Sequence, residues 1–370
     1  MAPSCAPQPK RRVLVRFLLA ALLFCGLEGA VFRSGFYLRF LEPNSTAGLL
    51  QAILNDERLH YRAGPAYVQV LGDSRMALLL RVSDRLAGET GYTFGRIATA
   101  GTHPRCWYYM LREVDPDARK YAAVVIPVYT YDDEDWENLA DAEVDIHYLA
   151  PLLRLSDLFE FSLSFDSWYL RGRAFRTVLF KGLTYKRDLY AFWADPAARR
   201  MHIRWEREDG AKARYDFVGD VKTNMTGLAV DWPAHKITHY PDDATPDIRA
   251  MLDTELLRST GNYTGQRTAY LRKWFGKIVE RYRGTRTRIL FIRLPRGPVL
   301  RPYKPYTPTS AVREIAARGD AILMDEHCFD ELERPELFHD AVHLNPTGCE
   351  RFTVILAREV RGILGPPPTR

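Results

Sequence analysis

Four short apolar runs, Tyr67–Leu71, Ala122–Tyr129, Arg288–Leu294 and Ala321–Met324, set the strongest constraint on the fold. Each is rich in β-branched or aromatic residues, bounded by turn residues and too short for a core helix, so each reads as a buried strand. Tyr92–Ala98 is a fifth, less apolar candidate. Helical patterns fill the gaps, at Met76–Ala87 after the first strand and Arg105–Val114 after the second. Alternation of this kind predicts an α/β fold, a parallel five-stranded sheet with helices on both faces. The third and fourth strands lie about 155 residues apart, far more than a crossover helix needs, which predicts a large, mostly helical insertion at 133–285. With 46% hydrophobic and 26% charged residues among 370, the disordered and collagen-like classes are excluded. Five scattered cysteines without a CxxC pair exclude a disulfide scaffold and give no zinc or redox motif, so no metal and no cofactor are expected.

Val13–Phe32 is a 20-residue, predominantly apolar run, enough for roughly 30 Å of helix and one bilayer crossing. Arg16 and Glu28 lie near its two ends, where their side chains reach the interface, and Phe36, Tyr37 and Phe40 follow as an aromatic belt. Lys10, Arg11 and Arg12 before it predict a cytoplasmic N-terminus and an extracytoplasmic body. The rival reading, a cleaved signal peptide with its apolar core at Phe17–Leu27, puts Glu28 where cleavage after Ala30 wants a small residue. The sequence therefore favours a basic tail at 1–12, an uncleaved anchor at 13–33 and a juxtamembrane linker at 34–65.

A formal charge of +6 suggests nucleic acid, but its distribution does not. Residues 1–33 hold five bases against one acid, while the rest of the chain holds 47 against 45. No helix-turn-helix or RNA-binding strand motif accompanies them, so no nucleic-acid partner is expected. Inside the insertion, eight acids between Asp132 and Asp145 precede a basic and aromatic stretch from Asp166 to Arg204. Such a stretch suits an anionic membrane surface or a polysaccharide groove, or else a helical layer with an aromatic core and solvated charge.

The first strand runs through Leu71-Gly72-Asp73-Ser74-Arg75 straight into a helical pattern. A serine at this turn sits at the carboxyl edge of the sheet, where open α/β folds bind ligands. Gly72 permits a tight turn, and the helix start offers N–H groups to an oxyanion. Far along the chain, Asp340-Ala-Val-His343 is the only Asp-x-x-His. That spacing lets the carboxylate hold Nδ1 of His343 and leave Nε2 as a base for a serine. Asn345 and Pro346 then read as the cap and first residue of a terminal helix, Thr347–Leu364.

These blocks resemble the SGNH/GDSL hydrolase superfamily, in particular its membrane-anchored envelope esterase and O-acyltransferase-like branch. The resemblance covers residues 66–132 and 286–364, leaving 365–370 as a tail, and implies a flavodoxin-like sheet. It implies Ser74 as nucleophile, His343 as general base and Asp340 as its orienting partner, with the N–H groups of Ser74 and Gly101 forming an oxyanion hole. The family's Gly-x-Asn-Asp block stands here as Tyr129-Thr-Tyr131-Asp132, with Tyr131 in place of the amide donor. Tyr131 is one candidate for the third oxyanion contact; Thr102 and His103 are others. Loss of one such donor typically costs about 10²–10³ in rate.

The resulting expectation is acyl transfer through an acyl-enzyme, on an acyl ester or polysaccharide of the cell envelope or a lipid-linked acyl ester, with the membrane and a membrane acyl-donor protein as partners. Water as acceptor makes an esterase; a sugar hydroxyl makes an O-acyltransferase. The alternative is a catalytically degenerate, SGNH-like glycan-binding or assembly protein, which Tyr131 and the large insertion favour. Asp132, Asp133 and Asp135 form at most a loose cation site.

Overall fold

The computed structural model describes residues 9–61, 66–77, 89–132, 139–210, 224–258, 264–302 and 310–367. Five strands form one all-parallel sheet: β1 (Tyr67–Gly72), β2 (Thr93–Ala98), β3 (Ala123–Val128), β6 (Arg288–Arg293) and β7 (Ile322–Leu323), in the order β2-β1-β3-β6-β7. A separate antiparallel pair, β4 (Ala229–Asp231) and β5 (Lys236–His239), lies in the insertion. Every run read as a strand from the sequence is a strand, including the weaker Tyr92–Ala98.

Side chains alternate across a strand, so a sheet covered on both faces needs apolar residues at every position. In β1, Tyr67 and Leu71 enter one apolar cluster while Val68 and Val70 enter the other. In β3 and β6, Val124, Ile126, Ile289 and Phe291 join the first, and Ala123, Val125, Leu290 and Ile292 the second. Helices supply the outer half of each cluster. The first is built by α2 (Thr46–His60) and α4 (Pro104–Val114), with α9 (Thr264–Tyr282) and α10 (Ala311–Ala317), the second largely by α11 (Pro346–Leu364).

One expectation about organisation is corrected. Segment 34–65 is no mere linker: Leu50, Ile53 and Leu54 of α2 are buried in the sheet's own cluster. The insertion is largely helical but not separate, since Ile146 and Leu149 of α5 (Val144–Leu149), Phe161 and Phe165 share that cluster, and Trp274 and Phe275 of α9 sit at its centre. The helix expected over Met76–Ala87 is described only as α3 (Ser74–Ala77), its remainder lying outside the described residues, as do Asp133 and Asp135. Asp132 itself pairs with Arg313 at 3.2 Å.

At the N-terminus, α1 (Pro9–Leu27) continues through the wider turn Glu28–Arg33, and Val13–Arg33 is long and apolar enough to cross a membrane. Its apolar side chains from Val13 to Phe24 are largely exposed. Its last turns dock on three insertion helices, α6 (Trp168–Leu179), α7 (Lys181–Thr184) and α8 (Lys186–Ala194).

Candidate active site

The parallel register pairs Gly72 with Ala98, so β1 and β2 end level and the segments leaving them run side by side at the carboxyl edge. Gly72 turns the chain with φ +156°, and a Cβ there would come within 2.3 Å of Met76 Cγ. Ser74 follows at the start of α3. The turn is braced by its neighbours: Asp73 accepts the Arg75 N–H at 3.0 Å and takes the guanidinium through Nε (3.2 Å) and Nη2 (2.6 Å). That guanidinium also lies 3.5 Å from the Tyr129 ring centroid, tying the turn to the end of β3. Burial opposes ionisation of Asp73, but Arg75, with His343 nearby, outweighs it and holds the carboxyl below its ordinary range.

His343 arrives from 269 positions further along the chain, with Nε2 2.9 Å from Ser74 Oγ. Its Nδ1 is 2.8 Å from Asp340 Oδ2, and Asp340 Oδ1 accepts the N–H groups of Val342 and His343, both at 2.8 Å. Burial alone would push the Asp340 carboxyl up; the His343 ring and these two N–H groups bring it below the ordinary value. An ionised Asp340 accepts Nδ1–H, which fixes the tautomer and leaves Nε2 to accept the Ser74 hydroxyl. The loop is clamped from behind: His339 N–H donates to the His343 carbonyl at 2.8 Å and Asn345 N–H to that of Leu337 at 2.9 Å. Asn345 caps α11, its Oδ1 accepting Gly348 N–H at 3.0 Å, with Pro346 in the first turn, as its sequence pattern predicts.

Gly101 follows β2, in the left-handed conformation with φ +68°. Its turn is pinned by Tyr148 of α5, whose hydroxyl donates to Ala100 O at 2.6 Å. Among the described residues, the N–H groups of Ser74 and Gly101 enter no main-chain hydrogen bond. Ser74, Gly101, His103, Trp107 and Tyr129 line one cavity of about 280 Å³. A second cavity, at Arg283–Ile289, lies at the amino end of β6 and contains none of these groups.

The structure does not bring Tyr131 to this crevice, which corrects its reading as an oxyanion donor. Its ring is buried, and its hydroxyl is engaged by the carbonyls of Phe291 (2.9 Å) and Met324 (2.8 Å) beneath α10. Burial raises its pKa far above the ordinary phenol value. Thr102 is also committed: its hydroxyl lies 2.9 Å from Gly72 O and 2.8 Å from Thr99 O, and accepts Trp107 Nε1–H at 3.1 Å. His103 does line the cavity, with Nδ1 3.1 Å from Asp145.

Sequence reasoning missed Asp145. Among the described acids of its run it is the fully buried one, bonding Arg105 Nε at 2.8 Å and accepting from Cys106 Sγ at 3.2 Å. Burial would favour its neutral form, but Arg105 and His103 keep it below its ordinary range. Arg105, equally buried, also bonds Ser164 Oγ (2.8 Å) and Ala140 O (3.0 Å), so the insertion holds the start of α4 in place. Nothing in the spacing of that run marks Asp145 off from its neighbours. Among the described residues all cysteines are free thiols, and burial raises Cys328 and Cys349 to about 12.

No known protein-family model matches the chain, and no curated protein matches it. What the site can do follows from its geometry. A serine hydroxyl on a fixed imidazole, with two unclaimed N–H groups alongside, can attack an acyl carbonyl and hold the oxyanion that forms.

Proposed function

We propose that the protein is a membrane-anchored serine hydrolase of the SGNH type, working through Ser74, His343 and Asp340. In particular, it acts as an esterase or O-acyltransferase on acyl esters of cell-envelope glycan or on lipid-linked acyl esters. The observation that carries this reading is the unbroken Asp340–His343–Ser74 relay, drawn from two ends of the chain. The strand order supports the flavodoxin-like assignment that this class implies, since ligands in such sheets bind outside the carboxyl ends of the strands.

In the proposed cycle, His343 Nε2 takes the Ser74 proton as Oγ attacks the carbonyl carbon, and the N–H groups of Ser74 and Gly101 receive the oxyanion. Collapse breaks the ester C–O bond, and the departing alkoxide takes the proton from His343. Water or a sugar hydroxyl then gives its proton to His343 and attacks the acyl-serine, and the second collapse returns the proton to Ser74. His103, which lines the same cavity as Ser74 and Gly101, assists the oxyanion in place of Tyr131. The Val13–Arg33 helix anchors the catalytic body outside the cytoplasm, with the basic N-terminus inside. Hydrolysis of p-nitrophenyl acetate by the full-length protein tests the relay. His343→Ala is expected to lower kcat by about 10⁴ or more and Asp340→Asn by about 10³–10⁴; turnover unchanged in both variants would refute it.

A further inference from the structure

The insertion holds another cavity, of about 420 Å³, between α5, α6, α7 and α8. Among the described residues, its cations are Arg173 and Arg176 on α6 and Lys186 and Arg187 on α8, and its one carboxylate is Glu143. Glu143 is taken by Arg173, whose Nη2 also lies 3.2 Å from His147 Nε2. The other three cations have no carboxylate partner among the described residues: Arg176 Nε donates to Gly172 O at 3.3 Å, and Lys186 Nζ stands 5.7 Å from the Tyr190 ring centroid. His147 adds no negative charge, and burial together with Arg173 and Arg187 depresses its pKa against the pull of Glu143. The cavity thus carries a surplus of about three positive charges. A bound anion would relieve their mutual repulsion.

Its position says which anion. Helix α7, which supplies Leu183 and Thr184 to the wall, begins on the apolar N-terminal helix: Glu28 accepts the N–H groups of Lys181 at 2.5 Å and Gly182 at 3.1 Å. Arg33 bonds the carbonyls of Val178 and Leu179, which end the helix that carries Arg173 and Arg176. Phe24 meets Phe180 and Phe32 meets Tyr185, with centroids 5.6 and 6.0 Å apart. Walls of the cavity are therefore fixed at the level of the last turns of Val13–Arg33. Leu183, Tyr190 and Trp193 stand exposed beside it, the composition of a headgroup-level belt.

We propose that this cavity binds the phosphate of an anionic membrane lipid headgroup, an inference that rests on the anchor reading given above. Arg176, Lys186 and Arg187 supply the charge, Arg187 and Arg176 forking onto phosphate oxygens while Leu183 meets the first acyl carbons. Bound lipid locks the insertion, and the crevice it braces through Asp145 and Tyr148, onto the bilayer.

The test is calorimetric titration of the full-length protein in a neutral detergent with dihexanoyl phosphatidylglycerol, dihexanoyl phosphatidylcholine and inorganic phosphate. The anionic lipid is expected to bind most tightly, and the double variant Arg176→Gln/Arg187→Gln to bind it about ten- to thirty-fold more weakly. Arg283→Gln, at the opposite end of the sheet, should bind as wild type does. Equal binding of both lipids, or no loss in the double variant, overturns the proposal; inorganic phosphate binding as tightly as the lipid overturns the lipid in favour of a free anion. Alkaline carbonate extraction separates the two readings: release of wild type from membranes breaks the anchor reading, whereas retention with an unaltered titration in the double variant breaks this inference alone.

Discussion

The Ser74 crevice and the cationic cavity of the insertion differ in how their charge is matched. In the crevice the carboxylates are compensated from within: Asp73 by Arg75, Asp340 by His343 and the fully buried Asp145 by Arg105. In the cavity, Arg176, Lys186 and Arg187 face one another around a single acid already held by Arg173. A reacting group must be positioned before substrate arrives, so its network closes on itself. A site that recognises an anion keeps its charge in excess for the ligand to neutralise.

A third environment sharpens this comparison. Glu57 on α2 is buried, and among the described residues its donors are the hydroxyls of Tyr67 and Tyr121, both at 3.1 Å; burial raises its pKa from 4.5 to about 7. Because its folded pKa lies above the unfolded one, its contribution to stability is complete below about pH 4.5 and is lost as pH rises to about 7. Glu57→Gln should abolish that loss, making the variant more stable than wild type above pH 7 by up to about 3 kcal/mol in denaturant titrations. A pH-stability curve of unchanged shape would show that Glu57 is compensated as the crevice carboxylates are. Asp73, Asp145 and Asp340 carry the opposite sign, with folded pKa below ordinary, so their contribution is present above the usual carboxylate range and disappears as pH falls below it.

A smaller effect separates the crevice from the core beneath it. Tyr131→Phe removes the hydroxyl shared by the Phe291 and Met324 carbonyls, at an expected cost of about 1–2 kcal/mol in stability with ester turnover kept within about two-fold. A hundred-fold fall in kcat at unchanged stability would instead return Tyr131 to the oxyanion.

The sheet was legible because strands buried on both faces are mostly apolar, as the five parallel strands are, even though Gln69 of β1 and Arg96 of β2 are buried among them. The grouping of Ser74, Asp340 and His343 was legible because a serine at a strand end and a histidine held by a carboxylate of its own loop depend on local spacing. Helix α2 was not: its mostly apolar run Leu49–Leu54 is short, and its burial against the sheet is decided by strands and helices far along the chain. Asp145 and Tyr131 were misread or missed for one reason: burial and partner choice are decided by elements tens of residues away. The aromatic and basic stretch gave composition without geometry, and its contacts with Phe24, Glu28, Phe32 and Arg33 locate it beside the apolar helix.

The central claim is that Ser74 is a nucleophile activated by His343. Treatment of the folded, full-length protein with a fluorophosphonate, followed by mass spectrometry of its peptides, tests it most directly. The adduct is expected on Ser74 in wild type and absent in Ser74→Ala and His343→Ala; a wild-type protein that stays unmodified, or carries the adduct at another residue, would contradict the account.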